Sequence, residues 1–110
     1  MHENEIQQVL EKIRIILEGR QEGYWADYFS DLEEEFRKAI DPPELNRERK
    51  ILQRISEIFG GMGSFNDVFI NVHAGHNIKP EEVSTVNREL GELRSRLYVL
   101  VEAEKSRLSS

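Results

Sequence analysis

The sequence contains no cysteine in its 110 residues, which removes disulfides, thiolate nucleophiles and cysteine-ligated zinc or iron–sulfur clusters in one step. Proline occurs only three times and tryptophan once, so long stretches are free of the residue that breaks helices. No apolar run approaches the roughly 18 residues of a membrane span, and Met1-His2-Glu3-Asn4-Glu5 lacks the basic start and apolar stretch of a secretory leader. The expected setting is therefore the cytosol, with no membrane partner. Positive charge is also in deficit: 15 basic against 21 acidic residues leave a formal net charge of −6. That balance disfavours a nucleic-acid partner, because such binding begins with basic side chains neutralising phosphates.

What is present is helical periodicity. The length suits one domain spanning 1–110. Ile6, Val9, Leu10, Ile13, Ile16 and Leu17 recur at the spacing that stacks side chains on one helix face, predicting a first helix over about 3–20 with stops at Gly19 and Gly23. Trp25, Phe29, Leu32, Phe36 and Ile40, with Tyr28 and Ala39 at the margin, predict a second over about 24–40. Pro42 and Pro43 end it, and Asp41 is the expected N-cap of a third helix running to about Phe59 through Leu45, Ile51, Leu52, Ile55 and Ile58. Val83, Val86, Leu90, Leu93, Leu97, Leu100 and Val101 predict a last, longest helix to about Glu104, with 106–110 frayed. Ile15 and Val99 fall outside these stripes.

Between the third and last helices the period changes. Val68, Ile70 and Val72 alternate with Phe69, Asn71 and His73, and Asn77-Ile78-Lys79 can return after a turn at 73–77. The predicted class is mainly α, a four-helix antiparallel bundle with a short β-hairpin or extended segment at about 65–79 before the last helix.

Charge is concentrated in one place. Glu18, Glu22, Asp27, Asp31, Glu33, Glu34 and Glu35 face a single base, Arg20, over residues 18–35. On a helical wheel Asp27, Asp31 and Glu34 lie opposite the Trp25–Phe36 stripe, with Glu35 and Tyr24 toward one flank. A solvated outer face accounts for such a stripe, and so does a docking surface for a cationic partner, since clustered charge of one sign steers association. Tyr24 and Tyr28 beside the acids favour docking, because rings bury area at low entropy cost.

The apparent catalytic and ligand motifs are incomplete. Gly60-Gly61-Met62-Gly63-Ser64 lacks the lysine and the preceding strand of a phosphate loop. His73 and His76, with Asp67 upstream, do not match a helical zinc motif, and Ser64 has no nucleophile-elbow context. Glu33, Glu34 and Glu35 are expected to face water, where carboxylates are poor acid–base catalysts. No catalytic residue, cofactor or metal is assigned.

The stretch Gly61-Met62-Gly63-Ser64-Phe65-Asn66-Asp67-Val68-Phe69-Ile70, with Asn87, Leu90 and Leu93-Arg94-Ser95-Arg96-Leu97-Tyr98, resembles a family of small uncharacterised bacterial helical proteins. The resemblance implies a bacterial helical domain and no activity. Within it, Asn66 and Asp67 are expected to close an Asx-type turn, and Phe65 to plug the core.

The functional expectation is a protein-binding inhibitor. It is specifically a bacterial toxin-immunity protein that occludes a basic, nuclease-like toxin domain through Tyr24, Asp27, Tyr28, Asp31, Glu34 and Glu35. The alternative is a structural or regulatory subunit associating, with itself or another chain, through an apolar face marked by Ile15 and Val99.

Overall fold

A computed structural model describes residues 2–60 and 64–109. It contains four helices, α1 (Glu3–Gly19), α2 (Gly23–Ile40), α3 (Leu45–Glu57) and α4 (Val83–Ser109), and the protein is mainly α. Helix α1 packs on α2 and α4, and α3 packs on the same two helices. The predicted stripes meet between them: Ile6, Leu10, Ile13 and Leu17 of α1, Phe29, Leu32 and Phe36 of α2, Ile51, Leu52 and Ile55 of α3, and Leu90, Leu97 and Val101 of α4 are all buried. Leu45, counted with the core stripe, is instead exposed, because the helix begins at that residue rather than three positions earlier.

Helix ends differ from expectation for identifiable reasons. The residue with left-handed geometry after α1 is Gln21 (φ 61°) rather than a glycine. The Glu22 amide donates to the Leu17 carbonyl (2.9 Å) and the Gln21 amide to that of Glu18 (3.2 Å), the pattern that satisfies a helix's last carbonyls. Asp41 closes α2 instead of capping α3. Ile40 and Pro43 form an isolated bridge across the cis Asp41–Pro42 bond, and helical geometry resumes only at Leu45. The cap is then Glu44, whose carboxylate accepts from the Asn46 and Arg47 amides at 3.1 and 3.0 Å. Helix α4 runs past its expected end near Glu104 to Ser109. Arg49 donates to the Leu108 carbonyl (2.8 Å), and the Leu108 side chain packs against the core.

The hairpin does not form: no strand occurs among the described residues. Three single 3₁₀ turns, at Phe65–Asp67, Val72–Ala74 and Pro80–Glu82, take its place. Val68 and Asn71 keep extended backbone, but the hydrogen bonds a partner strand would supply come from side chains. The Asn87 amide group of α4 accepts from the Ile70 amide and donates to the Ile70 carbonyl, both at 2.8 Å, and also donates to the Val83 carbonyl. Arg94, about two turns further along α4, donates to the carbonyls of Val68 (3.0 Å) and Asn66 (3.3 Å). Asn77 donates through its amide to the Arg20 carbonyl (2.9 Å) and through its side chain to that of Gly19 (3.2 Å). An extended sequence satisfied in this way has no need of a second strand. At Asn66 the side chain donates back to the Phe59 carbonyl (2.6 Å). Phe65 does enter the core and is fully buried.

Replacing Asn87 with alanine leaves the Ile70 amide and carbonyl without partners, and each such loss costs about 1–3 kcal/mol. Urea unfolding of Asn87→Ala is expected to show a stability loss of about 3 kcal/mol with little change in helical circular dichroism. An unchanged midpoint would mean these bonds carry no stability.

Candidate docking face on the second helix

Helix α2 starts under the control of Glu22, whose carboxylate accepts from the Trp25 amide (3.1 Å) and lies 3.7 Å from Nε2 of the largely buried His76. His76 Nδ1 accepts from the Asn71 amide (3.1 Å), so this imidazole ties the 71–77 turn to the start of α2. Gly75, at φ 79°, allows the turn to close where a side chain would be strained. His73 is exposed and takes no part.

From this start the rings of α2 divide between core and solvent. Phe29 is fully buried, and Trp25 is half-buried with its ring 5.2 Å from Phe65. Tyr24 projects outward at 70% exposure, its ring meeting that of Trp25 edge-on at 5.3 Å. Tyr28 is half-buried between Trp25 (5.3 Å) and the guanidinium of Arg54, which lies 5.0 Å from the Tyr28 ring centroid.

The acids do not act as one block. Asp27 and Asp31 are exposed, and their carboxylates have no hydrogen bond or ion pair among the described residues. Glu34 is exposed but pairs with Lys38 one turn on (3.3 Å). Glu35 is held by Arg54 of α3, Glu33 by Arg14 of α1, and Glu18 also by Arg14 (3.0 Å). Arg20, the lone base of the acidic stretch, turns instead to Glu82 (3.2 Å). Of the six predicted contact residues, Tyr24, Asp27 and Asp31 thus form an open surface. Glu34 joins it with its charge partly balanced, while Tyr28 and Glu35 are engaged with Arg54.

Burial works against the charge on Arg54, but the Tyr28 hydroxyl and the Glu35 carboxylate more than offset it and hold the guanidinium above its ordinary value. Arg14 is raised as well, by its hydrogen bonds to Glu33 and Glu18. Arg14 and Arg54 lie 19 positions from Glu33 and Glu35, a separation with no local pattern, so of these pairs only Arg14–Glu18 and Glu34–Lys38, at helical i,i+4 spacing, were open to reading in the sequence.

The other candidate constellations gain little. Gly61, Met62 and Gly63, the centre of the supposed phosphate loop, lie outside the described residues. Asp67, His73 and His76 do not converge into a three-ligand group. Glu33, Glu34 and Glu35 are each salt-bridged, pointing in three directions. The off-stripe Ile15 and Val99 are exposed, at 53% and 64%. Among the described residues no helix is long and apolar enough to cross a membrane.

The family described as Domain of unknown function (DUF6966) matches residues 18–79. The chain belongs to this family. The matched region runs from the end of α1 through α2, α3 and the irregular segment, so the candidate face lies wholly within the family domain, whereas α4 lies outside it. No curated protein and no solved structure matches the chain.

Replacing Arg54 with methionine retains most of its packing but removes the charge over Tyr28 and beside Glu35. The expected loss is about 1 kcal/mol in urea unfolding, because Glu35 remains substantially solvated and a ring–cation contact of this exposure is modest. In a double-mutant cycle, Arg54→Met with Glu35→Gln should give a coupling below about 1 kcal/mol.

Proposed function

We propose that this chain is a protein-binding inhibitor, a bacterial toxin-immunity protein that occludes a basic, nuclease-like toxin domain with the outer face of α2. The observation that carries this reading is the juxtaposition of the solvent-facing Tyr24 ring with two carboxylates, Asp27 and Asp31, that no cation of the chain's own described residues neutralises. Unpaired charge attracts a cationic partner, and a ring already packed edge-on to Trp25 loses little freedom on being covered. Inhibition in this reading is steric, and no residue of the chain performs chemistry.

The internal pairing narrows the contact set. Asp27 and Asp31 steer, Tyr24 anchors, and Glu34 contributes after exchanging Lys38 for a partner cation. Tyr28, Glu35 and Arg54 form the floor that holds the surface in shape. We read the four helices as one antiparallel bundle in a single cytoplasmic domain. This arrangement is supported by Glu3 meeting Arg107 while Arg20 meets Glu82 at the other end of α1, and by Ser56 bonding Glu102 while Arg49 bonds Leu108.

A second reading, association through an apolar face, is favoured by the exposed Tyr98 and Val99. With Phe59, Asn66, Arg94 and Ser95 they line a shallow groove of about 420 Å³. It predicts self-association that is indifferent to salt, whereas the acidic face predicts partner binding that weakens as ionic strength rises.

The deciding assay is protection of cells that co-express a basic nuclease-type toxin encoded beside the gene for this chain. Wild type should protect, and Asp27→Lys combined with Asp31→Lys should abolish protection while helical circular dichroism is unchanged. Full protection by the doubly reversed variant would overturn the docking face.

A further inference from the structure

The outer face of α2 does not end with its acids. Tyr24, Asp27, Asp31, Glu34 and Lys38 recur at three- and four-residue spacing, so Lys38 continues their line toward the C-terminal end of the helix. There the charge changes sign. Residues 18–35 carry seven acids and one base, whereas residues 37–54 carry six bases and three acids. Lys38 of α2 and Arg47 and Lys50 of α3 border one hollow of about 190 Å³ between the two helices, and all three are exposed. Glu35, also on its wall, is held by Arg54.

These cations have capacity to spare. Lys50 has no hydrogen bond or ion pair among the described residues. Arg47 Nε lies 3.9 Å from Glu44, whose same oxygen already accepts from the Arg47 amide. Lys38 shares its charge with Glu34 (3.3 Å). One continuous face thus has the unpaired Asp27 and Asp31 toward one end and underused cations toward the other, about 14 Å apart along α2.

Such a face is complementary to itself. A two-fold axis crossing α2 near Glu34 lays a second copy antiparallel on the first, and each copy's Lys38, Arg47 and Lys50 then stand over the other's Asp27 and Asp31. We propose that two copies of this chain associate in this way, as an isologous dimer through the α2–α3 face. A parallel arrangement would set like charges against each other, so the charge pattern fixes the orientation. Glu34, nearest the axis, keeps Lys38 beside it to balance its charge. Tyr24 stands level with the other copy's exposed Pro42–Pro43 turn, which gives the ring an apolar surface to cover. Each copy carries a net charge of −6, but at about 0.1 M salt repulsion between distant charges is screened over roughly 10 Å, and the groups in contact decide the outcome. The dimer hides the carboxylates that the proposed toxin contact uses, so a toxin and a second copy compete for one face. The association itself needs no toxin.

Sedimentation equilibrium of the full chain tests it. At about 0.1 M salt the wild type should form a dimer, and at about 1 M salt its dissociation constant should rise about tenfold or more. Arg47→Glu with Lys50→Glu makes the face acidic throughout, and Asp27→Lys with Asp31→Lys makes it basic. Each double variant should keep its helical circular dichroism and be monomeric alone. Mixed in equal amounts, the two should associate one to one, because each supplies the sign the other lacks. Val99→Ser, on the exposed side of α4, should leave the wild-type dimer intact. A monomeric wild type at the lower salt, a dimer indifferent to salt, a dimer of either double variant alone, a mixture that stays monomeric, or loss of the dimer in Val99→Ser would each overturn the proposal. No toxin enters these measurements, so their outcome is separate from that of the protection assay.

Discussion

The burial of Phe65 ties together the irregular half of the molecule and the face that meets solvent. Its ring lies 4.7 Å from Phe29, 5.2 Å from Trp25 and 6.5 Å from Phe59, with the Arg94 guanidinium 5.0 Å from its centroid. Its amide donates to the Ile58 carbonyl (2.9 Å), so the chain is fixed as it leaves the Gly60–Gly63 region. From Phe65 the contacts run outward through Trp25 to Tyr24 and Tyr28, each 5.3 Å from the indole. The exposed tyrosine is therefore the end of a continuous stack of rings that begins in the core. A rigid base of this kind lowers the entropy lost when Tyr24 is covered.

Holding Phe65 in place requires the segment between α3 and α4 to satisfy its backbone without a ladder. Asn87 and Arg94 of α4 do this from one side, and His76 and Asn77 dock the far end of the segment on α1 and α2. Electrostatics then shapes the outer surface by subtraction. Arg14 and Arg54 withdraw Glu33 and Glu35 into pairs between helices, and what stays open is the short run of Tyr24, Asp27 and Asp31. The acidic character of the chain is spent largely on its own cohesion, and the remainder defines where a cationic partner would approach.

Helix identity and core composition were legible in the sequence because apolar spacing is a local signal and burial follows it directly. Phe65 was also legible, since a large ring following a run of glycines has few places to go but inward. The alternation of Val68, Ile70 and Val72 misled, because the same pattern suits an extended segment whose bonds come from side chains, and nothing local announces that Asn87 faces Ile70 across 17 positions. Of the acidic face, exposure of Tyr24, Asp27 and Asp31 followed from the helical wheel, whereas the neutralisation of Glu33 and Glu35 depended on which helices became neighbours. The burial of Glu48 and Glu104 was invisible for the same reason. Both sit in charged, helix-surface contexts, and only tertiary packing makes them interior.

Native-state amide hydrogen exchange measures the central claim, that the segment from Phe65 to Lys79 is a fixed support rather than a loose connection. If Phe65 and Asn87 hold it as described, the Phe65 and Ile70 amides should exchange as slowly as the buried amides of α2 and α4, through global unfolding. Exchange of both at the rate of an exposed loop, while the helices stay protected, would contradict the account.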